Sequence, residues 1–274
     1  MAKIGVVQMT SGEDPEKNLE HLARKLKGLQ LQGAELVVTP ENTVVFGSRD
    51  DYLKHAETLG KGPIQDQLSE MARHYRIWLV VGSMPILTVS GEVTATSLVY
   101  DDQGQLIEFY DKLHMFDVDV EDGHHSYRES DTFKAGDQIK VVETPFGKLG
   151  LSICYDVRFP QLYSELRQQG ADIIVVPAAF TKVTGRAHWE VLLRARAIET
   201  QCWLLASAQW GEHNAERETW GHSMMIDPWG NIVAEQKEGT GVLLTDIDIS
   251  VSDGIRQKMP VAKHARLTCH LHQK

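Results

Sequence analysis

Apolar residues recur along this chain in two rhythms, and the alternation between them predicts most of its elements. Residues 4–9 read as a strand. From Asp14-Pro15 onward, Leu19, Leu22, Ala23, Leu26 and Leu29 return every three or four positions, the spacing of a helix with Pro in its first turn, which Gln32-Gly33 ends. Residues 34–39 form an apolar run closed by Pro40-Glu41-Asn42, as in a strand buried on both faces. Gly62-Pro63 opens a second helix reaching about Arg76, residues 78–83 give a third strand, and 96–100 and 106–110 flank Asp-Asp-Gln-Gly as a hairpin.

The second half repeats this order. Strands are predicted at 149–154, 171–176 and 203–208, helices at 159–169 and 187–201, a hairpin from 223–226 and 231–235 around Asp227-Pro228-Trp229-Gly230, and a last strand at 242–249. Gly33-Ala34-Glu35-Leu36-Val37-Val38-Thr39-Pro40 is echoed by Gly170-Ala171-Asp172-Ile173-Ile174-Val175-Val176-Pro177. Two copies of one unit, sheets facing each other and helices outside, predict an α/β fold: a single four-layer α/β/β/α sandwich with an internal two-fold repeat. Between the halves, residues 117–136 are polar and without periodicity, a long loop of the kind that carries function.

Composition narrows the function classes. A hydrophobic content of 42% with 24% charged residues is that of an ordinary globular chain. The formal charge of -10 argues against a nucleic-acid partner, which would want a basic face. No run approaches the roughly 18 apolar residues of a membrane span. Three widely spaced cysteines, Cys154, Cys202 and Cys269, do not suggest a disulfide framework, and the opening MAKIGVVQMT has no basic or long apolar leader; a soluble cytoplasmic protein is the expectation.

The chemistry concentrates in KLGLSICYDVRFP, residues 148–160, where an apolar run delivers Cys154 to a turn and a helix follows at once. A strand-to-helix corner presents a side chain beside free backbone N–H groups, as a nucleophile with an anionic intermediate requires. Glu41 and Lys112 also end predicted strands, where ligand sites of layered sheets form. Together they suit a complete mechanism, with a carboxylate to take the thiol proton, a thiolate to attack and an ammonium to hold the oxyanion; the lysine is also expected to lower the cysteine pKa toward neutrality. Read singly, each also fits a plain role: Cys154 as a small buried hydrophobe, Glu41 as a turn residue, Lys112 as a surface cation. Glu129, in the long loop, is a candidate second carboxylate that positions substrate or assists proton transfer. The His/Asp ligand runs of metallohydrolases are missing from the text, and a purely binding protein would be expected to lack one of the three residues.

Cys154 within Ile-Cys-Tyr-Asp-Val-Arg-Phe-Pro, Lys112 within Tyr-Asp-Lys-Leu-His-Met-Phe-Asp-Val-Asp and Glu41 within Val-Val-Thr-Pro-Glu-Asn resemble the Glu–Lys–Cys triad of the nitrilase superfamily of carbon–nitrogen hydrolases, and the resemblance runs from Ile4 to about Leu267. It implies the same sandwich fold, a homodimer joined through helices and no cofactor. It also implies Glu41 as general base, Lys112 and the Tyr155 N–H as oxyanion donors, Cys154 as the thioester-forming nucleophile and Glu129 as the family's additional glutamate. Residues 180–203 are similar to the Nit branch, whose amidases split deaminated glutathione into 2-oxoglutarate and cysteinylglycine, a metabolite repair. An ω-amidase acting on α-ketoglutaramate, or another amide or N-carbamoyl hydrolase, is the alternative. That segment is basic in an acidic protein, with Lys182, Arg186, His188, Arg194 and Arg196 near Arg158, which suits a small-molecule amide bearing carboxylates. Arg158, Thr184 and Arg186 are the expected substrate contacts, although Glu190/Arg194 and Arg196/Glu199 have the spacing of intrahelical pairs. One domain over 1–267 and a disordered tail over 268–274 are expected; Cys269, His270 and His272 in that tail fall short of a four-ligand metal site.

Overall fold

The computed structural model describes residues 1–121, 125–213 and 217–267. In chain order the first half carries β1 (Ala2–Gln8), α1 (Pro15–Leu31), β2 (Leu36–Val38), α2 (Arg49–Lys54), β3 (Glu57–Thr58), α3 (Pro63–Tyr75), β4 (Trp78–Leu87), β5 (Val93–Tyr100), β6 (Leu106–Asp111), β7 (Asp117–Asp119) and β8 (Ser126–Arg128). The second carries β9 (Val141–Thr144), β10 (Gly147–Leu151), α4 (Pro160–Gln168), β11 (Ile173–Ala178), α5 (Lys182–Thr200), β12 (Trp203–Ala208), β13 (Trp210–Glu212), β14 (Glu218–Trp220), β15 (Ser223–Ile226), β16 (Ile232–Gln236), β17 (Gly241–Ile247), α6 (Ser250–Lys258) and α7 (Val261–His264).

Two main sheets result, ordered β17-β1-β2-β4-β5-β6, with β3 beside β4, and β9-β10-β11-β12-β15-β16; β7–β8 and β13–β14 form two-stranded sheets of their own. In each main sheet, three parallel strands are flanked by one antiparallel strand on one side and two on the other. The outer antiparallel strand of the first sheet, β17, comes from the C-terminal end of the chain, so the last strand expected of the second half joins the first sheet.

Side-chain alternation sets the layers. On the first sheet Ile4, Val6, Leu36, Val38, Val80 and Val99 point into a core shared with the second sheet. Their neighbours Val7, Val37, Leu79, Val81 and Leu98 pack beneath α1 and α3, on Leu19, Leu22, Leu26, Leu29, Leu68 and Ala72. On the far side Leu162 and Leu166 of α4 and Trp189, Leu193 and Ala197 of α5 join the second sheet. Each fully buried leucine contributes about 1.5–3 kcal/mol, so the continuous apolar strands hold the sandwich together from both faces. Ser207 Oγ of β12 donates to Val7 O of β1 at 2.5 Å, stitching the sheets near their ligand-facing ends.

Several local features depart from the expectation. The strand ahead of Cys154 stops at Leu151, and the corner is a 3-10 turn, Cys154–Arg158. Helix α5 begins five residues earlier than its apolar spacing indicates, capped by Thr181, whose hydroxyl accepts the Thr184 N–H. Gly185 disguises that first turn in the text; Trp220 lies so close that a Cβ there would come within 2.3 Å of it. The loop 117–136 holds the β7–β8 hairpin and a one-turn helix, Glu129–Asp131. Its strands are polar, and the Arg128–Asp119 ion pair at 2.9 Å spans them in place of an apolar stripe. The expected tail 268–274, with Cys269, His270 and His272, lies outside the described residues.

Gly82 in β4 is where the backbone must come close: a Cβ there would sit 2.1 Å from Pro40 O and 2.3 Å from Thr39 O. This approach lets the Gly82 N–H reach Thr39 Oγ1 at 2.9 Å and fixes the turn that carries Glu41. Gly82→Ala is therefore expected to destabilise the protein by about 1–3 kcal/mol, the usual cost of overpacking, measured by urea denaturation.

Candidate active site

Glu41, Lys112, Glu129 and Cys154 meet at one cavity of ≈ 350 Å³, each delivered by a different piece of backbone. Glu41 follows β2 in a turn held by Thr43 Oγ1 donating to Pro40 O (2.5 Å), Asn42 N–H to Ser83 Oγ (2.8 Å) and Gln209 Nε2 to Glu41 O (2.9 Å). Lys112 immediately follows β6, with its N–H on Ala95 O at 3.0 Å, and its side chain is 1% exposed. Glu129 starts the one-turn helix after β8. Cys154 occupies the corner with φ 48°, a left-handed backbone that costs a non-glycine residue about 1–2 kcal/mol.

The three charges lock together. Lys112 Nζ donates to Glu41 Oε1 at 2.7 Å and to both Glu129 oxygens at 2.8 Å. Glu41 Oε2 accepts the Ala179 N–H at 2.8 Å, and Glu129 Oε2 accepts the Phe116 N–H at 2.6 Å. The Cys154 thiol and the Glu41 carboxylate line the same cavity, close enough for the carboxylate to act on the thiol. Tyr155 N–H stands one residue ahead of the corner's first internal bond, Asp156 N–H to Ile153 O at 3.0 Å.

Burial opposes the charge on Lys112, but the Glu129 and Glu41 carboxylates outweigh it and hold its pKa well above the ordinary lysine value. Burial raises the Glu129 pKa against the pull of Lys112. The Cys154 thiol is pushed well above its ordinary value by burial and then by Glu41, with Lys112 pulling down too weakly to compensate. This corrects the expectation of a cysteine near neutrality: one ammonium facing two carboxylates has little positive field left for a thiolate.

The remaining lining includes Thr184, whose hydroxyl pairs with Thr181 Oγ1 at 2.8 Å, and Tyr155. Arg158 and Arg186 are not part of it. Arg158 lies over the Tyr155 and Phe180 rings, its Nη1 3.3 Å from His188 Nδ1, and Arg186 is exposed on α5. The cations that do line the cavity are Lys112, Arg49, Arg128 and Arg217. Arg128 is engaged with Asp119 and with backbone carbonyls, and Arg217 stacks over Phe46 and Tyr127. Sequence reasoning missed Arg49 and Arg217 because both lie in loops or helix ends without pattern. Among the described residues no group of three or more His, Cys, Asp or Glu side chains is placed to hold a metal, and no helix is long and apolar enough to cross a membrane.

Residues 3–257 match the carbon-nitrogen hydrolase family model. The chain belongs to the carbon–nitrogen hydrolases. This hydrolase is 48% identical to the deaminated glutathione amidase of Yersinia enterocolitica over 98% of its own length and 95% of the relative's. It is 38% identical to the Homo sapiens protein of the same name, over 96% of this chain and 82% of that one. In structure it is similar to Saccharomyces cerevisiae Nit3, a member of branch 10 of the nitrilase superfamily, with a TM-score of 0.87, 30% identity and 97% of each chain covered.

Removing the central cation should expose how the hydrolase tolerates its buried acids. In Lys112→Met two carboxylates are left facing each other, a loss of about 3–5 kcal/mol near neutral pH. Burial already raises the Glu129 pKa, and without the ammonium that pulls it down it rises further above the unfolded value, so proton uptake favours the folded state and the deficit against wild type should narrow from about pH 8 to about pH 5, read by urea denaturation at both.

Proposed function

We propose that this hydrolase splits deaminated glutathione into 2-oxoglutarate and cysteinylglycine through a thioester on Cys154. The chemistry rests on one observation, the buried Glu41–Lys112–Glu129 cluster set against the Cys154 thiol. The substrate rests on the relatives of that name, which match nearly the whole chain.

As the Cys154 sulfur attacks the amide carbonyl carbon, its proton passes to the Glu41 carboxylate, so the thiolate exists only while the bond forms. Lys112 Nζ and the Tyr155 N–H receive the oxyanion, donors whose loss typically costs about 10²–10³ in kcat. Glu129 holds the ammonium in place through both oxygens. The C–N bond breaks as Glu41 returns the proton to the leaving nitrogen, and cysteinylglycine departs. A water then gives its proton to Glu41 and attacks the thioester; the C–S bond breaks, the sulfur recovers the proton, and 2-oxoglutarate leaves. Arg49 and Arg217, in the cavity wall, take over the carboxylate-binding role expected of Arg158 and Arg186, and Thr184 remains a contact.

We read the assembly as a homodimer joined through helices. Val191 and Ile198 lie seven residues apart on α5, 68% and 46% exposed, and Trp229, 60% exposed, adjoins Ile198 through Gly230. Wild type should sediment as a dimer and Val191→Glu as a monomer; a monomeric wild type would end this reading. The free, buried Cys154 and Cys202 agree with a reducing, cytoplasmic setting.

The activity is tested by following 2-oxoglutarate released from deaminated glutathione and, in parallel, from α-ketoglutaramate. Deaminated glutathione should be strongly preferred, Cys154→Ala should be inactive though folded, and Glu41→Gln should lose about 10²–10⁴-fold. Arg217→Met should raise KM about tenfold, the loss of one charge-assisted contact. Preference for α-ketoglutaramate would make the protein an ω-amidase instead.

A further inference from the structure

Asp156 is fully buried two residues beyond the nucleophile, and none of the steps above uses it. Four donors converge on its carboxylate. Oδ2 accepts from Tyr110 OH at 2.7 Å and from the Ile153 N–H at 2.9 Å. Oδ1 accepts from the His114 N–H at 3.1 Å and faces His114 Nδ1 at 2.7 Å, which makes Nδ1 the protonated ring nitrogen because an ionised carboxylate only accepts. The His114 ring is stacked on Phe159 at 3.6 Å and 7°, so its orientation is fixed from the other face as well.

The positions of those donors carry the inference. Tyr110 and His114 stand two residues before and two residues after Lys112, while Ile153 immediately precedes Cys154. A single carboxylate thus grips the chain on both sides of the ammonium and, with its other bond, closes the corner around the thiol. Strand β6 belongs to one sheet and the corner continues from the other, so Asp156 also joins the two sheets at the site. The left-handed backbone of Cys154 persists only where its surroundings over-determine it, and the Ile153 N–H to Asp156 bond spans that residue.

We propose that Asp156 is a positioning residue that sets the Cys154 thiol against the Lys112 ammonium. It touches neither substrate nor reacting atoms and acts through Tyr110, His114 and Ile153. The proposal rests on the catalytic roles given above for Cys154 and Lys112, but not on the identity of the substrate. The titratable groups facing the thiol are Glu41, Lys112 and Tyr163, with Glu129 behind Lys112. Of these only Lys112 favours the thiolate, so any retreat of Lys112 from the corner makes the thiolate harder to form.

The test uses Tyr110→Phe, which removes one of the four bonds and keeps the ring, together with Asp156→Asn. Ser69→Ala, which loses a hydroxyl bond to Gly104 O far from the site, is the control. Two quantities are read: kcat and KM, and the rate at which iodoacetamide alkylates Cys154, followed on its own peptide by mass spectrometry from neutral to alkaline pH. Tyr110→Phe should lower kcat about tenfold and Asp156→Asn about a hundredfold at unchanged KM, the scale of an ångström-sized misplacement. In Tyr110→Phe, which changes no charge, the alkylation profile should move to higher pH, and in Ser69→Ala neither quantity should move. A Tyr110→Phe alkylation profile that superimposes on wild type would overturn the proposal, whatever happens to kcat, because a role in stability alone leaves the thiol's surroundings intact. Should Asp156→Asn fail to fold, Tyr110→Phe decides. Alkylation needs no substrate, so a shifted profile beside a wild type inactive on deaminated glutathione would sink the substrate and leave Asp156 in its role.

Discussion

A single ammonium, sealed between two carboxylates, is the constraint on which the rest of the site depends. Lys112 is 1% exposed and bonded to Glu41 and Glu129 at 2.7–2.8 Å, so neither carboxylate can move without uncovering a buried charge. That penalty binds together three segments far apart in the chain: the turn after β2, the end of β6 and the helix turn after β8. The polar cluster gives the cavity a fixed floor, while the apolar layers around it supply the stability that tolerates such a cluster.

The sandwich makes this arrangement possible because both sheets send strand ends to the same edge. Glu41 and Lys112 come from the first sheet, Cys154 and the Ala179 N–H from the second. The cluster therefore forms only when the sheets are in register, and bonds such as Ser207 to Val7 and Gln209 to Glu41 O hold that register close to the chemistry. Family membership and local geometry agree here: the residues that resemble the carbon–nitrogen hydrolase triad are those that the fold gathers at one cavity.

The layered fold was legible because its strands are apolar on both faces and its helices keep a strict stripe. The residues gathered at the cavity floor were legible because each ends a strand within a distinctive text. What escaped depended on partners distant in sequence. Asp156 reads only as a break in alternation, since its ligands Tyr110 and His114 are 46 and 42 residues away. The basic residues of α5 stood out by charge, but spacing had warned of self-pairing, and Arg194–Glu190 at 3.2 Å and Arg196–Glu199 at 2.7 Å do pair. The hairpin in residues 117–136 had no apolar period to betray it. The direction of the Cys154 pKa was misjudged by weighing the lysine alone, without the two acids that share its charge.

The raised thiol pKa has a consequence for the chemistry around the protein as well as within it. Peroxide and disulfides attack thiolates, and a cysteine that stays protonated at rest offers them little to react with. In the proposed mechanism Glu41 takes that proton only as the sulfur bonds to the amide carbonyl carbon. On that mechanism, the burial and the Glu41 charge that keep the thiol protonated at rest also spare it from oxidation between turnovers.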